Sequence, residues 1–433
     1  MKNLILSCVV FSLTFALFAA ERISDVVVTQ PDRGKTVTVS YGLAADAVVT
    51  AEFSTNGVPL AQGLHLEGDV NRYVEADGSR KSFVWKMRKD TQGWEGAVTV
   101  KLTSTLPGLM PDYLVIDLLS GDRRFYARAE DLPNGVSDMV YKTDKLVLRR
   151  VHAAAREWRM GQPTTGEQCM DGNNTESQVK AIDSETAHTV ALTDDFYISI
   201  YEVTQRQYYH VTGTNPSSNK GGGTASDNYE ATKAFPVENM SYEDLRGTTD
   251  SDFSGWPQDV HAVAEGSVID TFRHKLGIQS LDLPTEAQWE YACRAGTRTT
   301  YNNGVDSRPL DTALEPLAWY NKPGGLQVTH EVGTKLPNCW GLYDMHGNVF
   351  EWCLDWYSTG ADWRATFASD WQQGGVTVDP VGPSSGTYRV VRGGDYFYSA
   401  YYARSASRPN LFLTPDLKSQ HQGLRLVCSG TLE

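Results

Sequence analysis

The sequence predicts two folded parts: an all-β sandwich over residues 22–107, then a larger domain over residues 143–430 in which short strands alternate with capped helices and long polar loops. Three observations carry this. At 433 residues the chain is too long for one small domain. Early on, valine- and threonine-rich runs are punctuated by turn signals at regular spacing. From about Val140 helix-start signals take over.

Residues 1–20 form neither part. Lys2 precedes an apolar run from Leu4 to Phe18, closed by Ala19 and Ala20. This pattern predicts a signal peptide and hence export, to a periplasm or beyond. No later segment is long and apolar enough to span a bilayer, so no membrane span is expected.

The sandwich rests on "DVVVTQ", "KTVTVSYGL", "AVVTAEFS", "KSFVWKM" and "AVTVKLTS". Pro31-Asp32, Asn56-Gly57 and Asp77-Gly78 supply the turns. Such a series is immunoglobulin- or fibronectin-like and reads as a spacer or docking module, since fold alone carries no chemistry. Residues 108–142, with "YLVIDLLSG" and "EDLPNGVSD", read as a junction.

Three helix starts follow. Thr204 caps a helix in "YEVTQRQYYHVTG", with Gln207 closing a capping box and Gly213 at the far end. Thr285 and Gln288 repeat the device in "LPTEAQWEYACRAGT", which Gly296 should end. Ser241 caps a shorter helix in "ENMSYEDLRG". Trp289, Ala292 and Cys293 share one helical face and should be core.

A net charge of −14 and a pI near 5.1 argue against nucleic-acid binding, because an acidic chain repels phosphate. Of six cysteines, Cys8 falls in the apolar leader, leaving five, an odd number without CxxC spacing. Zinc-ribbon and thioredoxin-type chemistry are therefore poorly supported, and disulfide pairing is left open. Oligomeric state is likewise open.

"FYISIYEVTQRQY", "FPVENMSYEDL", "LDLPTEAQWEYACRAGT", "GLYDMHGNVFEW", "RVVRGGDY", "ARSASR" and "GLRLV" occur in an order that resembles the sulfatase-modifying factor, or formylglycine-generating-enzyme-like, family over residues 143–430. The resemblance implies an α+β fold with little regular secondary structure. It also implies a structural calcium site using side chains of Asp344 and Glu351 and carbonyls of Gly347 and Val349, a hard all-oxygen donor set. On the residues alone, Asp344 could instead cap a turn and Glu351 pair with an arginine. His346 reads as an exposed loop bystander.

Oxidase members of the family hold copper on two cysteines just after a Gly-Gly pair, because thiolates are soft ligands. Here Gly393-Gly394 is followed by Asp395, Tyr398, Ala400 and Ala403, and no cysteine lies between Cys353 and Cys428. Copper is therefore not expected, and no catalytic residue is assigned. Cys293, Cys353 and Cys428 read as buried structural thiols. Phe350, Asp395, Tyr398, Tyr401 and Arg404 are the candidate ligand contacts, suited to a peptide or glycan. Two enzyme readings stay open beside this binding or scaffold role. One is a divergent enzyme using Asp395 or Tyr398 for acid–base work; the other, least favoured, is a genuine formylglycine-generating oxidase. Against catalysis, Asp395 could simply pair with Arg392, Arg404 or Arg408.

Overall fold

The computed structural model describes residues 22–29, 36–45, 47–55, 58–59, 66–70, 72–74, 76, 78–86, 98–105, 111–154, 156–162, 185–219, 229–248, 262–304, 310–322, 324–358 and 375–429. The leader expected at residues 1–20 and Cys169 lie outside these residues. The chain divides into two compact units, Met1–Val115 with Asp122–Asp138, and Ile116–Gly121 with Met139–Glu433. The stretch read as a junction contains two strands, Tyr113–Asp117 and Arg123–Tyr126.

In the first unit each of the five valine- and threonine-rich runs forms a strand. One antiparallel sheet orders Ile23–Thr29, Val37–Leu43, Lys81–Trp85 and Leu66–Gly68. The other groups Val58–Pro59, Ala47–Thr55, Arg72–Val74 and Val98–Thr105. Val37, Val39, Tyr41 and Leu43 alternate inward, as a pleated strand with one covered face requires. They share a core with Phe53, whose ring centroid lies 4.7 Å from that of Trp85.

The second unit is mostly short strands with few helices. Lys145–Val151, Phe196–Ser199 and Val427–Ser429 pair antiparallel. The capping boxes on Thr204, Ser241 and Thr285 all form, opening helices Gln205–Thr212, Tyr242–Arg246 and Glu286–Arg294. The third helix ends one residue earlier than expected: Ala295 takes the left-handed turn at φ 46°, followed by Gly296 at φ 87°. Val268–Leu276, capped by Ser267, is a helix that the motif reading did not include.

Strand Phe350–Trp356 is buried at every position. It runs antiparallel to Arg389–Arg392, with Glu351 opposite Arg392, and parallel to Gln422–Gly423. This register brings the loop before it against the Gly-Gly segment: Gly347 N–H donates to the Gly393 carbonyl at 2.7 Å, and Tyr396 N–H to the Asn348 carbonyl at 3.1 Å. Gly347 has φ 83°, and a Cβ there would lie 2.1 Å from the Trp319 carbonyl oxygen, so only glycine fits.

A buried ionic lattice holds the segment from 392 to 408. Arg392 pairs with Glu290, and Arg404 with Glu185 at 2.8 and 3.0 Å. Arg408 reaches Glu286 at 2.6 and 2.9 Å. Glu290 also accepts from Arg294 and from Gly161 N–H, both at 2.8 Å. Burial opposes its ionisation, but Arg294 and Arg392 outweigh this and hold its carboxyl below the ordinary glutamate range.

Two outcomes follow from this packing. Glu290→Gln leaves guanidinium charge buried without its counterion and should cost about 3–5 kcal/mol in denaturant unfolding. Because the folded carboxyl titrates below its unfolded value, its stabilisation is complete above about pH 4.3 and lost as pH falls through the folded value; the variant should show a weaker acid dependence. Gly347→Ala should destabilise by more than about 1 kcal/mol, read in the same way.

Candidate functional site

The structure corrects the expected partner of Asp395. None of the three arginines reaches it. Its Oδ2 lies 2.5 Å from Nδ1 of His421, while Oδ1 accepts N–H bonds from Phe397 at 3.0 Å and Tyr398 at 2.8 Å. The turn after Gly394 aims those two N–H groups back at the carboxylate, and strand Gln422–Gly423, paired to Phe350–Trp356, delivers His421 beside it. Burial pushes the Asp395 carboxyl above the usual range, partly offset by His421 and the two N–H donors. Asp395 side-chain exposure is 0%, against 21% for His421.

Aromatic rings surround this pair. The His421 ring is 5.5 Å from Tyr396, 5.2 Å from Phe397 and 6.0 Å from Tyr398. Tyr398 meets Tyr402 edge-on at 4.9 Å. Phe397 is exposed, and Tyr398, Tyr401 and Tyr402 are half-buried.

Two expected ligand contacts move to supporting roles. Phe350 is fully buried and packs beneath Tyr398 at 5.6 Å. Arg404 is buried, bonded through Nη1 and Nη2 to Glu185 and through Nε to the Tyr401 carbonyl, with its guanidinium over the Tyr401 ring at 4.1 Å. Asp395, Tyr398 and Tyr401 do gather at one face. His421, which joins them, lies 26 residues from Asp395 and just outside the motifs of the sequence.

His346 is buried rather than exposed. Its Nδ1 faces the Ala403 carbonyl at 2.6 Å, Nε2 accepts Asn302 N–H at 3.2 Å, and burial lowers its pKa to about 4. Cys293 Sγ sits 3.8 Å from both His346 Nε2 and Ser405 Oγ, with its thiol pushed up to about 12 by burial. Cys353 and Cys428 are also buried, Cys339 is exposed, and none of the four is in a disulfide.

The expected calcium ligands fall in a buried acidic group. Glu202 accepts from Val349 N–H at 3.0 Å and Asn348 Nδ2 at 2.7 Å. Both oxygens of Glu351 are taken, by Arg425 at 2.7 and 2.9 Å and by Trp289 Nε1 at 2.6 Å. Asp344 Oδ2 accepts Gly333 N–H at 2.6 Å, and its buried Oδ1 has no partner. Burial, more than its neighbours, raises Asp344 to about 6 and also raises Glu202. Asp344 thus keeps one bare oxygen for a cation, whereas Glu351 could ligate only by releasing Arg425. Among the described residues no group of three or more His, Cys, Asp or Glu is arranged to hold a metal.

Comparison with known proteins places this geometry. The chain is 36% identical to the formylglycine-generating enzyme of Thermomonospora curvata over 33% of its own length, and spans only 48% of that enzyme. It is 32% identical to chaperone protein LppX of Paenibacillus barcinonensis, over 54% of this chain and 80% of that protein. The solved structure of Treponema denticola variable protein 1, 25% identical, covers 66% of this chain and 95% of that one with a TM-score of 0.47. The family model described as sulfatase-modifying factor enzyme 1-like domain matches residues 160–429, and the chain belongs to that family.

Proposed function

We propose that this is a divergent, exported member of the family that binds an extended polypeptide rather than oxidising a thiol. The carrying observation is the segment after Gly393-Gly394. Where the family resemblance implies a soft thiolate pair, this chain has Tyr398, Ala400 and Ala403. Neither a phenol nor a methyl group can hold Cu(I). Cys293, whose Sγ lies 3.8 Å from Ser405 Oγ, is buried, with its thiol pushed up to about 12. What the segment offers instead is a ring-lined face with Phe397 in solvent, of the kind that buries apolar area at low entropic cost. Similarity to a relative named as a chaperone, over most of that relative's length, favours polypeptide over glycan as the ligand class. The two N-terminal sheets fit an immunoglobulin- or fibronectin-like sandwich acting as spacer or docking module.

A second reading, a divergent enzyme, draws on the Asp395–His421 pair. An imidazole oriented by a carboxylate is the arrangement of a general base.

Two measurements test these statements. Purified protein supplied with copper and a cysteine peptide should leave the thiol unoxidised while binding fluorescent extended peptides; stoichiometric tightly bound copper with thiol oxidation would overturn the reading. Calcium is a separate part of the proposal. Three buried carboxylates share Arg425, and a cation at the bare Asp344 oxygen would offset the surplus charge. Calcium added after chelation should raise the melting temperature, and less so in Asp344→Asn; an unchanged melting temperature removes calcium from the account.

A further inference from the structure

We propose that Nε2 of His421 is the ligand-reading atom of the aromatic face, accepting an N–H or O–H donor from a non-acidic polypeptide segment. This rests on the peptide-binding reading above and names what the site selects. Asp395 takes Nδ1 at 2.5 Å. A neutral imidazole whose Nδ1–H is given to a carboxylate keeps its lone pair on Nε2. Among the described residues no polar partner engages that atom, and the ring is 21% exposed while the carboxylate it bonds is at 0%. The ring packs against Phe397 and Tyr398, so its free lone pair belongs to that aromatic face.

Charge sets the class of occupant. Recognition of a carboxylate or phosphate is favoured by a guanidinium or ammonium donor. The three arginines of the segment point the other way, into Glu290, Glu185 and Glu286. Lys418, close in sequence to His421, pairs with Asp244, and Lys322, beside Asn321, pairs with Glu315. The face stands over a buried carboxylate, and the whole chain carries −14. Acidic segments are rejected and neutral or basic ones accepted. Asn321 N–H donates to the Tyr398 carbonyl at 3.0 Å, and the loop that Asn321 starts exposes Leu326 and Val328.

The test is fluorescence anisotropy with three labelled peptides of one length: apolar-neutral, the same with two lysines, and the same with two glutamates. The neutral and lysine peptides should bind wild type at least about tenfold more tightly than the glutamate peptide. His421→Phe, which keeps a ring but no acceptor, should lose about tenfold on the neutral peptide, and His421→Gln, which keeps an acceptor, should lose less. Phe397→Ser, at an exposed position, should weaken all three peptides and leave their order unchanged. If wild type binds none of the peptides, the peptide-binding reading itself fails. If it binds them with no preference against glutamate, or if folded His421→Phe binds as tightly as wild type, that reading stands and the role of His421 falls. The wild-type preference decides this even if His421→Phe does not fold.

Discussion

Buried arginine pairing is the constraint on which the second unit depends. A guanidinium taken out of water is costly unless a carboxylate meets it with good geometry. Arg392, Arg404 and Arg408 meet Glu290, Glu185 and Glu286, all at most 5% exposed. These pairs join segments far apart in sequence, so the chain cannot shift the Gly-Gly segment without uncovering charge. The turn that shapes the candidate site is therefore held from beneath. Its arginines are framework, leaving rings and one imidazole to face outward.

The same pairing explains what could be read from the residues alone. The helix caps at Thr204, Ser241 and Thr285 were legible because both members of each box lie three residues apart. The strands of the first unit were legible for a similar reason: burial alternates along Val37–Leu43 as the pleat demands. Ion pairs have no such local signature. Arg404 and Glu185 are 219 residues apart, and Arg392 and Glu290 are 102 apart. Sequence alone leaves Arg392, Arg404 and Arg408 open as partners of Asp395. Their claims lay elsewhere, and a histidine 26 residues away filled the place.

The aromatic segment was half legible. Composition identified a ring-rich face but not which rings look outward. Phe350 reads as a ligand contact because it lies beside the acidic loop, yet strand Phe350–Trp356 is covered on both sides and buries it. His346 reads as an exposed bystander because its loop is polar. Instead it wedges between Ala403 and Asn302, where the close pairing of Gly347 with Gly393 draws the loop inward.

The order in which the acidic group and its arginine are made has a consequence for biogenesis. Glu202, Asp344 and Glu351 precede Arg425, the last by 74 residues. The carboxylates are therefore in place before the guanidinium that pairs with Glu351, and the strand Val427–Ser429 lies beyond it. Closure of the acidic centre depends on contacts of long sequence separation, which fold more slowly than local ones.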